Sequence, residues 1–349
     1  MAKLPKEKND IILDFINQNP ACSSKTIHDE LSKEYSYATV KRILHQLITE
    51  NLIVQIGKGR GTKYEISQTY NLFRAINVDE YFEKEIDERE IRTGFNYLLI
   101  TEILDKVSPF TNKEVIFLSN LQKQYIENSS KLSKAEYNKE MERLAIDLSW
   151  KSSQIEGNTY SLLETELLLK EKETALGKTK DEATMLLNHK AALDFLIANP
   201  TFVKPLTISS IEDIHSILIQ DLGIDRNIRN KRVGISGTNY KPIDNEFQIK
   251  EAFVNMCKLV NNKKNVFDKA LLVLVLISYI QGFADGNKRT ARIISNAILM
   301  NNNYCPISYR TVNSIDYKKA MLIFYEQNNI NPFKEIFIKQ FEFAVNTYF

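Results

Sequence analysis

The chain has 349 residues, 43% hydrophobic and 26% charged, which is the balance of a soluble globular protein and excludes intrinsic disorder for its bulk. One hydrophobic core rarely grows past about 250–300 residues, so at least two domains are expected. Lys plus Arg number 46 against 44 Asp plus Glu, which excludes a uniformly basic nucleic-acid coat but leaves room for a local basic patch. The 3 cysteines, Cys22, Cys257 and Cys305, have no short spacing, and there are only 4 histidines. A disulfide framework and a structural zinc site are both disfavoured. The lysine-rich start has no apolar run or cleavage site after it. The most apolar stretch, 270–280, is well short of the roughly 20 residues of a spanning helix and is expected to be a buried core helix. The cytoplasm is the expected location.

Glycine (11) and proline (8) are sparse, and apolar residues recur at spacings of three and four, as at Leu144 and Leu148. The chain is therefore expected to be mainly α. Ile11, Ile12 and Phe15 mark a first amphipathic helix. Ser24 is the expected cap of a second, through Ile27 and Leu31. A third runs from Tyr37 to Asn51 with Val40, Ile43, Leu44 and Leu47 on one face. Residues 52–56 and 63–66 have the pattern of two short strands, joined by the basic turn Gly57-Lys58-Gly59-Arg60-Gly61. Three helices and a hairpin over 1–66 resemble a winged helix-turn-helix domain. On a DNA-binding reading, Lys41 and Arg42 on the third helix and Lys58, Arg60 and Lys63 on the wing meet phosphates. On the other reading the segment is a protein-interaction module and these charges are a solvated face. Both readings stay open at this point.

Residues 67–139 form an expected helical connecting region, densely charged at Asp79-Glu80-Tyr81-Phe82-Glu83-Lys84-Glu85. The largest domain is expected over 140–349. Its informative stretch is Gln281-Gly282-Phe283-Ala284-Asp285-Gly286-Asn287-Lys288-Arg289-Thr290-Ala291-Arg292. An apolar helix precedes it, and Ile293, Ile294, Ala297 and Ile298 carry a helix onward. A polar loop entering a helix N-terminus offers free N–H groups and a positive dipole end, which suits an anion. Gly286 lets the backbone approach a ligand. Asn287 is suited to bond a phosphate oxygen or to brace the loop. Arg289 and Arg292, three apart, share a helix face. Asp285 is a hard oxygen ligand for Mg²⁺, which takes one or two carboxylates plus phosphates. The set points to a site for a Mg-nucleoside triphosphate.

These residues resemble the signature of the Fic family: His-Pro-Phe, any residue, Asp or Glu, Gly-Asn-Gly-Arg, two residues, Arg. Phe283, Asp285, Gly286, Asn287, Arg289 and Arg292 match. Two further stretches fall in the family's order. Residues 152–158, with Ser152, Glu156 and Gly157, are similar to its inhibitory motif, Ser-x-x-x-Glu-Gly. Residues 233–242, with Gly237-Thr238-Asn239-Tyr240, are similar to its β-hairpin flap, on which a target segment docks. The resemblance implies a helical Fic fold with a small flap, preceded by the winged helix, and transfer of AMP from ATP to a target hydroxyl. It assigns Mg²⁺ to Asp285 and phosphates to Gly286, Asn287, Lys288, Arg289 and Arg292. It pairs Glu156, four residues beyond Ser152, with Arg292 as a brake. It leaves a homodimer open.

The match breaks at the family's histidine and proline, which fall on Gln281 and Gly282. Histidine accepts the proton of the attacking hydroxyl; a glutamine amide has no pKa in the working range. Losing a general base costs about 10²–10⁴ in rate. His215 is the nearest histidine in sequence and is expected to be structural. Lys288 replaces the second glycine, as in Doc-type phosphotransferases, which keep the histidine. Two outcomes remain: a transferase with weak or altered activity, or a pseudoenzyme whose Fic fold senses a ligand and whose winged helix reports it to DNA or a partner.

Overall fold

Apolar spacing and short polar caps set the elements of the first part of the chain. Helix α1 (Lys8–Gln18), α2 (Ser24–Leu31) and α3 (Tyr37–Thr49) precede the strands β1 (Ile53–Ile56) and β2 (Lys63–Ile66). The strands pair antiparallel, with Ile53 opposite Ile66 and Ile56 opposite Lys63. Ile12, Ile16, Ile27, Val40, Leu44 and Leu47 close the core between them. The cap of α2 is Ser23 and not the expected Ser24. Ser23 Oγ accepts from the Thr26 N–H at 3.1 Å, and Ser24 is the first helical residue, its hydroxyl 3.0 Å from that of Tyr37. The computed structural model describes residues 8–31, 35–67 and 69–349. The chain divides into two compact units, Met1–Ala75 and Ile76–Phe349. The first unit also holds the short α4 (Tyr70–Phe73).

The second unit is built of helices and irregular loops, with no strand among its described residues. It begins with α5 (Val78–Glu83), and a single wide turn at Leu99–Ile103 runs into α6 (Leu104–Lys106). Then follow α7 (Asn112–Ser129), α8 (Lys134–Ile155), α9 (Leu162–Glu171), α10 (Lys180–Ala198), α11 (Ile208–Leu218) and α12 (Glu246–Asn262). The chain ends with α13 (Val266–Ile280), α14 (Asn287–Asn301), α15 (Ser314–Gln327) and α16 (Asn331–Tyr348). Residues 76–139 fold as part of this unit. Helices α7 to α10 each start with a Ser or Thr that accepts from the third helical N–H, while a Glu there reaches back to the cap. That reciprocal pattern stops two orphan donors at each start. Asn245, Asn265 and Asn313 cap α12, α13 and α15.

Helix α13 is the axis of this unit. Every residue from 270 to 280 is at 0% exposure, because the helix is apolar on all sides and must be covered on all sides. Each buried Leu, Ile or Val contributes about 1.5–3 kcal/mol. Helices α12, α14, α15 and α16 pack around it. Its C-terminus delivers residue 281 to the surface of the core, where α14 begins after a short loop.

The β-hairpin expected over 233–242 does not form. Among the described residues only β1 and β2 are strands. The segment is an irregular loop with a turn at residues 236 and 237, where Gly237 takes φ +86°, a left-handed value that glycine adopts without a Cβ penalty. Its backbone groups find partners outside the segment: the Lys241 N–H donates to Thr93 O and Gly237 O accepts from Arg89 Nη2, while the Arg229 side chain bridges the flanking carbonyls of Lys231 and Ile243. No helix of the described residues is long and apolar enough to cross a membrane.

Candidate functional site

The loop between α13 and α14 is built to present backbone. Gln281 ends α13 in a left-handed conformation, φ +52°. Its amide is committed: Nε2 donates to Ser278 O at 2.7 Å and to Tyr325 Oη at 3.4 Å, and Oε1 accepts from Asn287 Nδ2 at 3.1 Å. Asn287 closes the loop on itself. It accepts from the Phe283 N–H at 2.9 Å and donates to Phe283 O at 2.8 Å. Of the two roles the sequence allowed Asn287, bracing is the one these bonds serve.

Helix α14 starts differently from its neighbours. Gly286, at φ +81°, precedes it and no side chain caps it. The first helical N–H groups have no intrahelical acceptors, and here they open on a cavity of about 360 Å³. Gln281, Asp285, Gly286, Asn287, Lys288 and Arg289 all line that cavity. From outside the loop come Glu156, residues 233–236 and, on α15, Lys318, Met321, Leu322 and Tyr325. The α15 face was not legible in sequence, since its apolar spacing is that of any packed helix.

Charges converge here from distant parts of the chain. Arg292 is at 0% exposure. Its Nε donates to Ser152 Oγ at 2.8 Å, and its Nη2 donates to Ser152 O at 2.9 Å and Glu156 Oε1 at 2.8 Å. Its guanidinium also lies over the Tyr317 ring, 5.2 Å from the centroid. Lys288 Nζ stands 3.5 Å from Glu156 Oε2. Burial works to raise the Glu156 pKa, but the charges of Arg292, Lys288 and Arg289 outweigh it and hold the carboxyl below its usual range. Glu156 is therefore ionised and stands between Arg292 and the cavity. Arg289 donates to Asp285 Oδ2 at 3.1 Å, and the Asp285 carboxylate is 66% exposed. Among the described residues no three metal-ligating side chains converge. A lone exposed carboxylate is the donor set of a cation that brings its other ligands as water and phosphate, which is how Mg²⁺ binds.

His215 reaches the loop from behind. Its ring stacks on Phe283 with centroids 3.7 Å apart, and Nε2 donates to Asp285 O at 3.0 Å. Burial holds it below its ordinary pKa, so it is neutral and supports the loop. Nothing in sequence connects residues 215 and 285. Gly282 is required by its surroundings: a Cβ there would lie 2.1 Å from Phe253 Cε2.

The flap residues divide. Residues 233–236 face the cavity, while Gly237 and Asn239 are exposed further along. Tyr240, expected on the docking surface with Gly237, Thr238 and Asn239, is 2% exposed. Its ring clusters with those of Tyr279 and Tyr325, and it donates to Tyr279 O at 3.2 Å. A buried phenol with an aromatic sleeve anchors the flap and offers a target nothing. In the first unit, Lys41 and Arg42 are exposed on α3 opposite Val40, Ile43, Leu44 and Leu47, and Lys58 and Lys63 are exposed on the wing. The Arg60 side chain lies outside the described ones.

Comparison with known proteins fits both units. Residues 205–299 match the model of the Fic/DOC family, and residues 7–93 match that of the penicillinase repressors. A protein adenylyltransferase Fic of Aedes aegypti is 28% identical over 189 residues, covering 51% of this chain and 36% of that protein. The chain thus spans about a third of that relative's length. Among solved structures, Fic-1 of C. elegans has a TM-score of 0.59 at 20% identity, covering 67% of this chain and 71% of that one. A Fic domain containing signaling protein of Bacteroides thetaiotaomicron has a TM-score of 0.56 at 19% identity, covering 66% and 95%. At these identities the two structural likenesses carry the helical fold alone.

Proposed function

From the premise that residues 205–299 are a Fic/DOC-family domain, we propose that the cavity at the start of α14 takes Mg-ATP or a related nucleotide. The observation that carries this is the uncapped start of α14, opening on the cavity beside Lys288 and Arg289, with Glu156 lining the cavity and holding the buried Arg292. Free N–H groups and a dipole end at one point favour a polyphosphate. The backbone N–H groups of Gly286, Asn287 and Lys288, with the Lys288 ammonium, hold the inner phosphates, and Arg289 and Arg292 the outer ones. Asp285 holds the Mg²⁺, which supplies charge neutralisation when bound.

Glu156 is the brake. Its carboxylate occupies Arg292 and repels an incoming phosphate, so nucleotide and Glu156 compete for one guanidinium. Ser152 holds Arg292 in either state. The adenylyltransferase relatives favour AMP transfer to a target hydroxyl as the ancestral reaction. Gln281 stands where that reaction needs its base. An amide already bonded to Ser278, Tyr325 and Asn287 accepts no proton, so conventional transfer is lost or altered while nucleotide binding is kept.

The test combines calorimetry with label transfer. Mg-ATP is expected to bind Glu156→Gly more tightly than the unaltered chain; no heat at high micromolar nucleotide sinks the reading. With α-labelled ATP and cell extract, Glu156→Gly is expected to stay silent and Glu156→Gly with Gln281→His to label protein. Labelling by Glu156→Gly alone makes this an active transferase with another base.

A second reading concerns the first unit. The exposed Lys41 and Arg42 on α3, with the repressor-family match, favour duplex DNA as its partner, with the Fic fold as a sensor. The cytoplasm is the corresponding site of action.

A further inference from the structure

Glu326 on α15 has a side chain at 0% exposure, and a charge so placed needs partners. Arg89 supplies one at 3.1 Å. The Tyr81 hydroxyl donates to it at 2.5 Å, and the Arg92 N–H donates to Glu326 O at 2.9 Å. The segment after α5 is thereby fastened to the helix whose Tyr325 lines the cavity.

The same segment also holds the flap. Arg89 Nη2 donates to Gly237 O at 3.1 Å. Asn239 Nδ2 donates to Asp87 Oδ1 at 2.9 Å. The Lys241 N–H donates to Thr93 O at 3.0 Å. Three alternate positions of the flap are thus engaged by one stretch of chain. Two of the three holds use flap main chain, Gly237 O and the Lys241 N–H, and main-chain groups of this kind are what a docking peptide engages, with side chains adding specificity. Arg89 serves both ends of the clasp, so the hold on α15 and the hold on the flap are coupled.

We propose that residues 86–93 are the resident occupant of the flap, an internal strap that an incoming target segment must displace. This rests on the flap being the target-docking edge of the site. The strap also describes its competitor: a segment whose short turn, like Ile86–Glu88, carries an acidic residue two positions before an arginine, matching Asp87 and Arg89, so that it meets Asn239, Gly237 and Glu326 in the same way.

The experiment uses the full chain and a fluorescein-labelled peptide of residues 84–95, followed by anisotropy. In the Asp87→Ala/Arg89→Met variant the strap loses its side-chain holds, and the free peptide is expected to bind at least about tenfold more tightly than to the unaltered chain. The same peptide carrying Arg89→Met is expected to bind the variant about tenfold more weakly. Equal binding of the first peptide to both chains overturns the proposal, as does equal binding of both peptides to the variant. If the variant does not fold, hydrogen exchange on the unaltered chain decides: slow exchange at the Arg92 and Lys241 amides supports the strap, and unprotected exchange at both overturns it. Mg-ATP calorimetry on the same proteins reads the nucleotide site separately, so a failure there leaves the strap result standing.

Discussion

Gly282→Ala isolates how tightly the loop at the end of α13 is packed. The added methyl would lie 2.1 Å from Phe253 Cε2 and 2.5 Å from Cζ, whereas carbon atoms rest about 3.5–4.0 Å apart. The ring would have to move by roughly 1.5 Å. It has nowhere to go: Phe253 is at 0% exposure, and its neighbour Phe283 is held against His215. Overpacking of this kind costs about 1–3 kcal/mol. At about 2–4 °C per kcal/mol for a unit of this size, Tm is expected to fall by roughly 5 °C. Scanning calorimetry of the full chain measures it. Phe253→Leu opens the space, so the alanine is expected to cost at least about 1 kcal/mol less in that background. An unchanged Tm in Gly282→Ala, or an alanine cost the same in both backgrounds, would refute the reasoning. Gly282→Pro, the family residue, meets the same ring and is expected to destabilise at least as much.

Other outcomes follow from buried charges and exposed ones. His189 is at 0% exposure with both ring nitrogens unpartnered, and burial, with Arg292 and Arg289 adding to it, holds its pKa well below 6.5. A depressed histidine stabilises fully above its unfolded pKa of about 6.5 and loses that stability as pH falls below it. His189→Leu is therefore expected to flatten the decline in denaturation midpoint between about pH 6.5 and 5; an unaltered pH slope counts against it. Arg229 is 5% exposed and donates to Gln281 O at 2.5 Å as well as to the carbonyls of Lys231 and Ile243. Arg229→Met leaves these acceptors unpaired and is expected to cost about 3 kcal/mol, with faster hydrogen exchange across 231–243; no change in that exchange removes Arg229 as the flap's anchor. If Lys41, Arg42, Lys58 and Lys63 all meet phosphates, replacing them with alanine is expected to reduce the salt slope of duplex binding by about 3–4. An unchanged slope returns the first unit to the interaction-module reading.

Much of the fold was written locally. Val40, Ile43, Leu44 and Leu47 mark the buried face of α3, and the apolar run at 270–280 announces the central helix, because helical periodicity and burial involve residues only three or four apart. Capping is equally local, although Ser23 and Ser24 show that adjacent hydroxyls do not reveal which one turns toward the helix. The polar loop entering α14 was legible for the same reason: its glycine, asparagine and arginines lie within one short stretch. The flap hairpin was not, since its backbone groups find partners at Thr93 and Arg89, remote in the chain.

By itself the sequence determined where helices form, which faces they bury and which residues could meet an anion. Only the tertiary structure decided which partner each buried charge takes. Glu156 with Arg292, Arg89 with Glu326 and His215 with the Asp285 carbonyl are contacts between segments remote in the chain. A desolvated charge or ring nitrogen must be satisfied, but periodicity says nothing of which distant segment satisfies it. That choice belongs to the packing of helices around α13, which also stands Glu156 before Arg292 and straps residues 86–93 across the flap.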